Sequence, residues 1–343
     1  MSDSTRRHGF GRVARIPTPT GFSVGDINSY LVLPPPGSDA LVLIDTGVRS
    51  EEAWSALSKG MAEFGFGVEE VTLLLLTHAH PDHCGQAARI RERAGCPIWV
   101  HEEAHRTLER YAGEPRPGRE TAVRWQMARF GVPESLLGQG GGASRLSEIT
   151  DPPEPDRLLR DGDPIEIPGF DLQVVHTPGH CPEEVVFWQP DRRLMFSGDH
   201  LLPDITPVCL LQYPDEPGGE RPSSLLEYQR SLDKVEVLPA RRAFPSHGEV
   251  IDDTRALIAS YRLHGAKRQL KLARLLERHG PQTPFELGSR LFARVIEDQL
   301  HLVLSEVVGH LDVLEHAGHV VAEREHGDGE VVRYRLESMP EPV

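Results

Sequence analysis

Seven consecutive residues, Thr77-His78-Ala79-His80-Pro81-Asp82-His83, supply three imidazoles and one carboxylate. Crowding these groups costs solvation and charge unless a cation binds them, and imidazole with carboxylate suits Zn2+ first, with Fe2+ or Mn2+ feasible. A divalent ion in such a nest lowers the pKa of a water from about 15.7 to about 7. Hydrolysis at neutral pH then requires no serine nucleophile.

The residues before the cluster, 71–76, form an aliphatic run with strand character, and Cys84-Gly85-Gln86-Ala87-Ala88-Arg89-Ile90 begins a helical pattern. The cluster therefore occupies a strand-to-helix loop. Alternation in its extended part turns His78 and His80 to one side, and the bend at Pro81 aims Asp82 and His83 at a neighbouring point. Two adjacent ions become feasible.

Other strand ends offer matching groups. His176-Thr177-Pro178-Gly179-His180 closes a strand predicted over 172–176, and Gly198-Asp199-His200 closes one over 194–197. Ala243-Phe244-Pro245-Ser246-His247-Gly248 closes a short strand after a helix predicted over 224–235. With further strands at 163–167 and 185–189, a covered sheet would collect these ends along one edge, where a site forms.

Upstream, 27–33 and 40–44 read as a hairpin, Asp45-Thr46-Gly47 as a turn, 51–64 as a helix and 97–100 as a strand, after a polar, frayed start over 1–22. Between 101 and 154, helical segments at 103–111 and 120–130 alternate with Pro and Gly clusters that end in Gln139-Gly140-Gly141-Gly142. So long an excursion from a compact domain is expected to cover a site as a lid.

Taken together, His78-Ala79-His80-Pro81-Asp82-His83, then His180, Asp199 and His247 in that order, resemble the metallo-β-lactamase superfamily of metal-dependent hydrolases over roughly residues 20–255. The resemblance implies an α/β fold, an αββα sandwich with its metals at one edge. It assigns His78, His80 and His180 to a first metal, Asp82, His83 and His247 to a second, and Asp199 to the bridge. Asp45 falls where the family has a strand-end Asp that supports the site from behind. A glutamate at position 80 would have pointed to the family's flavodiiron branch; histidine there favours hydrolysis. This chain departs from its relatives after His180, where Cys181-Pro182-Glu183-Glu184 brings two potential negative charges near the metals. Cys84 and Cys181 are read as packing residues, and His176 and His200 as groups near substrate or held by structural hydrogen bonds.

From residue 263 to 336 the composition turns to helix formers, predicted at 266–279, 284–292 and 301–317, followed by a hairpin over 320–336 that turns at Gly327-Asp328-Gly329. This pattern resembles a winged helix, an appendage found in relatives of β-lactamase-like protein 2, some of which cleave single-stranded RNA. Its third helix carries Glu306, Asp312 and Glu315 and no Lys or Arg, whereas phosphate contact needs cations. The appendage is therefore expected to pack beside the active site or make a homodimer contact.

The 343 residues suffice for two domains, 1–258 with a lid insertion at about 102–154 and 259–343. A net charge of −15 argues against a general nucleic-acid-binding surface. The four cysteines follow no C-x-x-C spacing, the start lacks the apolar core of a signal peptide, and no run is long enough to span a membrane. A cytoplasmic protein with reduced thiols is expected. The function expected is that of a dinuclear hydrolase whose metal-bridging hydroxide attacks a small-molecule ester, thioester, lactone or phosphoester, with Asp82 as the catalytic carboxylate. The alternatives are a metal-dependent endoribonuclease and a ligand-sensing DNA-binding regulator.

Overall fold

The computed structural model describes residues 9–112, 118–137, 148–324 and 331–341. The segment Gln139-Gly140-Gly141-Gly142 and the expected turn at 327–329 lie outside the described residues.

Two sheets face each other. The first runs in chain order from β1 (Gly9–Phe10) through β2 (Val13–Thr18), β3 (Ile27–Val32), β4 (Val42–Ile44), β5 (Leu73–Leu75) and β6 (Ile98–His101) to β7 (Arg157–Leu159). Its first four strands pair antiparallel and its last four, from β4 onward, pair parallel. The second sheet orders β12 (Arg242–Pro245), β11 (Leu194–Gly198), β10 (Val185–Gln189), β9 (Leu172–His176) and β8 (Pro164–Ile165), antiparallel except for β11 with β12.

Period-two alternation divides the central strands between two cores. Val42, Ile44, Leu73 and Leu75 face the second sheet and meet Val174, Val185, Phe187, Phe196 and Phe244. Leu43, Leu74 and Leu76 face the other way, onto Leu57 and Met61 of α1 (Glu51–Glu63) and, with them, Ile90 of α3 (Ala87–Ala94), which follows the short α2 (Pro81–Cys84). On the outer face of the second sheet, Val186, Trp188 and Met195 pack with Tyr228 and Leu232 of α7 (Ser224–Glu236) and with Ile258 and Tyr261 of α8 (Thr254–His279). The layers are thus helix, sheet, sheet, helix. Apolar runs in β4 and β5 are continuous because both faces are buried.

The N-terminal stretch is not frayed throughout. β2 pairs with β3 over six residues and is buried along nearly its whole length. Arg15 breaks the apolar pattern of β2, and its buried side chain is met at the surface loop by Gly248 O at 3.2 Å and by the exposed Glu249 at 3.0 Å. β7, also absent from the sequence reading, is only three residues long. Helix α8 starts twelve residues before the predicted position, capped by Asp253, which accepts the Ala256 N–H at 2.9 Å. It runs unbroken through the expected boundary at 258.

The insertion carries α4 (His105–Tyr111), α5 (Arg119–Arg129) and the short α6 (Glu134–Leu137). After α8 come α9 (Pro284–Leu291), α10 (Leu300–His316) and the antiparallel pair β13 (Val320–Arg324) and β14 (Val332–Leu336). Met127, Phe130 and Val132 of the insertion share one apolar cluster with Leu304 and Val308 of α10 and with Leu211. Among the described residues, no helix is long and apolar enough to cross a membrane.

Candidate metal centre

Each candidate ligand sits where a strand ends. β5 runs out at Leu75, and the loop 77–80 delivers His78 and His80 before Pro81 opens α2, which carries Asp82 and His83. The loop is pinned from both sides: the Val185 N–H donates to Thr77 O at 2.9 Å, and the Thr46 N–H and hydroxyl both donate to His83 O at 2.8 Å. Gly85 closes α2 because a Cβ there would lie 2.4 Å from Pro81 O and 2.7 Å from Arg49 N. Gly179 does the same for His180: at φ +146° its backbone lies against Tyr228, leaving 2.4 Å between a built Cβ and Tyr228 Cβ. A register shift between β11 and β12 after Phe196 sets Asp199 at the strand end. His247 follows β12, where Asn28 and Tyr30 of β3 both donate to Pro245 O.

All seven predicted ligands converge, in two groups. In the first, His80 Nδ1 lies 2.9 Å from both His78 Nε2 and His180 Nε2. In the second, His247 Nε2 lies 3.3 Å and His83 Nε2 3.9 Å from Asp82 Oδ2. Asp199 stands between them. Its Oδ2 is 3.6 Å from His180 Nε2, while its Oδ1 is 3.6 Å from His83 Nε2 and 3.7 Å from His247 Nε2.

The outward nitrogens fix the tautomers. His180 Nδ1–H donates to Val208 O at 2.7 Å and His247 Nδ1–H to Asp26 O at 2.9 Å, because a carbonyl can only accept. His83 Nδ1 meets Asp45 Oδ2 at 2.9 Å. Each Nε2 is thereby left facing inward, and those of His83 and His247, with Asp199 Oδ1, are buried without a hydrogen-bond partner. Inward lone pairs and an orphaned carboxylate oxygen are what a cation satisfies, so the donor set fits divalent metal.

Electrostatics separates the groups. Burial pushes His78 well below the usual imidazole range, takes His80 down to about 3 and lowers His180, which favours the neutral rings that metal binding requires. Burial opposes charge on His83 and His247 too, but Asp45, Asp82 and Asp199 outweigh it at His83, as Asp199 and Asp82 do at His247, and both lie above the usual range. Burial likewise opposes charge on Asp82 and Asp199, yet His83 and His247 hold both below the ordinary carboxylate range. The second group is an anionic nest that takes protons when no metal replaces them.

Asp45 sits behind the site as expected, accepting from the Thr77 N–H at 2.9 Å and the Thr77 hydroxyl at 2.8 Å besides His83. Its φ of +57° is a left-handed conformation that Asp tolerates better than most residues. Glu183 and Glu184 turn inward, not to solvent, at 1% and 0% exposure. Glu184 Oε1 accepts the Asp199 N–H at 2.7 Å, and burial, reinforced by Asp199, raises its pKa well above the carboxylate range. Burial raises Glu183 as well. Their place after His180 puts them near the site as expected, but their burial has no local signal, since adjacent acids usually mark a surface. Cys181, read as packing, lies within 4.8 Å of the ligand atoms of His78 and His80, but burial and the neighbouring Glu183 push its thiol up. His200 is fully buried with its ring 5.1 Å from that of Tyr228, and His176 stacks on His101 at 3.9 Å and bonds Pro182 O.

Residues 23–247 match the metallo-beta-lactamase superfamily. The chain is 31% identical over 315 residues to the probable metallo-hydrolase YqjP of Bacillus subtilis (strain 168), covering 88% of this chain and 91% of that protein. It is 29% identical over 282 residues to the beta-lactamase-like protein 2 homolog of Caenorhabditis elegans, covering 80% and 74%. The crystal structure of the metallo-beta-lactamase family protein TTHA1429 from Thermus thermophilus superposes with a TM-score of 0.79 at 29% identity, over 95% of this chain and 99% of the other. A strand-end cluster of His and Asp on paired mixed sheets, matched along most of its length by these proteins, makes this chain a member of the metallo-β-lactamase superfamily and a metal-dependent hydrolase.

Proposed function

We propose that the protein is a dinuclear hydrolase of a small-molecule ester, thioester, lactone or phosphoester. The observation that carries this reading is Asp199, whose two oxygens face different histidine groups 3.6–3.7 Å away. His78, His80 and His180 would hold one ion, Asp82, His83 and His247 the other, and Asp199 both, with Zn2+ the first choice and Fe2+ or Mn2+ feasible. Bound there, two divalent ions supply a Lewis acid for the substrate oxygen and a water that ionises near neutral pH.

The chain's own groups do the rest. Asp82, kept ionised, accepts a hydrogen bond from the attacking water and fixes its direction. Asp45 holds the His83 ring in one tautomer. Glu184 fixes the Asp199 backbone through the N–H.

The C-terminal segment is read as a winged-helix-like domain beginning near residue 259, and the insertion as a lid resting on it. Nucleic acid is not its partner in this reading. Helix α10, which would enter a groove, is buried at ten positions from Val303 to Leu314, and two of its acids are paired internally, Glu306 with Arg268 at 2.8 Å and Asp312 with Arg221 at 2.5 Å. A hydrolysis screen with quantified metal, across ester, lactone, thioester, phosphodiester and RNA substrates, tests the proposal. Metal-dependent turnover of a small ester, thioester, lactone or phosphoester supports it, and turnover of RNA alone sinks it.

A further inference from the structure

His180 is held twice by one irregular segment. The Val208 carbonyl accepts its Nδ1–H at 2.7 Å, and the Leu210 N–H donates to its backbone carbonyl at 3.2 Å. The segment belongs to neither sheet and is itself fastened from two helices. From α7, the Ser224 hydroxyl donates to Leu210 O at 2.9 Å. From α10, Ser305 Oγ accepts the Leu211 N–H at 2.9 Å. The Ser305 hydroxyl proton is already committed to His301 O one turn back, at 2.7 Å, so its lone pair is what meets Leu211. Ser305 is 2% exposed, and the Leu211 side chain is buried in the cluster shared by α10 and the insertion.

We propose that Ser305, 125 positions after His180 in the chain, is a positioning residue for that histidine, acting through Leu211 and the Val208 carbonyl. The inference rests on the reading of His180 as a metal ligand. Without Ser305 Oγ, the buried Leu211 N–H has no acceptor, and the segment must shift to find one. The Val208 carbonyl, three residues away, shifts with it, and the His180 ring loses the partner that sets its tautomer and direction. Outer hydrogen bonds of this kind typically govern metal affinity by about 10–100-fold. The C-terminal helix is thereby a structural part of the metal site, although none of its residues is a ligand.

The test uses the full-length protein with Ser305→Ala, Ser305→Thr and His180→Ala, each titrated with Zn2+ against a chelating indicator and examined by the visible spectrum of the Co2+-loaded form. Thermal unfolding of the metal-free proteins checks that each variant is folded. Ser305→Ala is expected to weaken one ion about tenfold and to shift the Co2+ bands. Ser305→Thr restores both, and His180→Ala weakens that same ion more severely. If Ser305→Ala binds both ions as the unaltered protein does while His180→Ala loses one, the ligand reading stands and the positioning role is overturned. If His180→Ala keeps both ions at full affinity, the ligand reading fails and the inference falls with it. Should Ser305→Ala not fold, Ser305→Cys, with a weaker acceptor of similar size, replaces it, and unaltered affinity in that variant overturns the proposal.

Discussion

Asp45 Oδ2 accepts from two sources at once, His83 Nδ1 at 2.9 Å and the Thr77 hydroxyl at 2.8 Å, at a residue that is 2% exposed. Replacing Asp45 by Ala strands both donors and the Thr77 N–H inside the protein. Loss of one partner of a buried charged pair costs about 3–5 kcal/mol, and loss of a partner behind a ligand costs about 10–100-fold in metal affinity. Denaturant unfolding and chelator competition on Asp45→Ala are expected to show both effects. Unchanged metal affinity would remove Asp45 from the account.

Asp82 is expected to matter for rate as well as for binding. Its Oδ2 lies 3.3 Å from His247 Nε2, and it is assigned to orienting the attacking water. Asp82→Ala is predicted to lower kcat by at least about a hundredfold, the scale for loss of a group that stabilises developing charge. The measurement is turnover at full metal loading, so that weaker binding is not mistaken for slower chemistry. Near-normal kcat under those conditions would refute the role.

Stability should decline in mild acid through His101. This ring is stacked on His176 and buried, which takes its pKa down to about 4, with His176 adding to the effect and Glu102, Asp161 and Asp163 opposing it. The unfolded chain therefore binds a proton at higher pH than the folded one. The contribution is absent above the ordinary imidazole range near pH 6.5, and it destabilises progressively as pH falls from there toward about 4. Melting temperatures measured between pH 7 and 4.5 are expected to fall less steeply for His101→Gln than for the unaltered chain. Parallel curves would show that His101 is not the group responsible.

The convergence of the candidate ligands is legible because they are concentrated: three His and an Asp in six positions have no low-cost explanation without a cation, and the later groups each follow a Gly at a strand end or close a short strand. Less legible is whatever depends on a distant partner. β2 is hidden by Arg15, whose charge is compensated by a loop 233 positions away. Glu184 carries a charge pattern typical of a surface, and only the fold buries it against Asp199. The fastening of His180 to Ser305 leaves no local pattern, because both of its intermediate contacts are made by backbone groups. The start of α8 escapes a reading by composition because its first turns mix Ala, Leu and Arg with weaker helix formers, Thr254, Ile258, Ser260, Tyr261 and Gly265, whereas residues 266–279 are almost all strong ones.

Binding of DNA or RNA is expected to be weak at physiological salt. Two of the three acids of α10, Glu306 and Asp312, are held in ion pairs, Glu315 is exposed, the helix's apolar face is covered, and the chain carries a net charge of −15. Few phosphate contacts mean little counterion release. Titration of labelled duplex and single strands at two salt concentrations should show no tight complex and a shallow salt slope. Submicromolar binding with a steep slope would promote the endoribonuclease alternative.

The proposed chemistry turns on Asp199 joining two ions, and anomalous scattering from a fully metal-loaded crystal reads that bridge out. Two peaks about 3.5–4 Å apart are predicted, one against His78, His80 and His180 and one against Asp82, His83 and His247, with each Asp199 oxygen on a different peak. A single peak at full loading, or two peaks with Asp199 remote from one of them, would contradict the dinuclear reading.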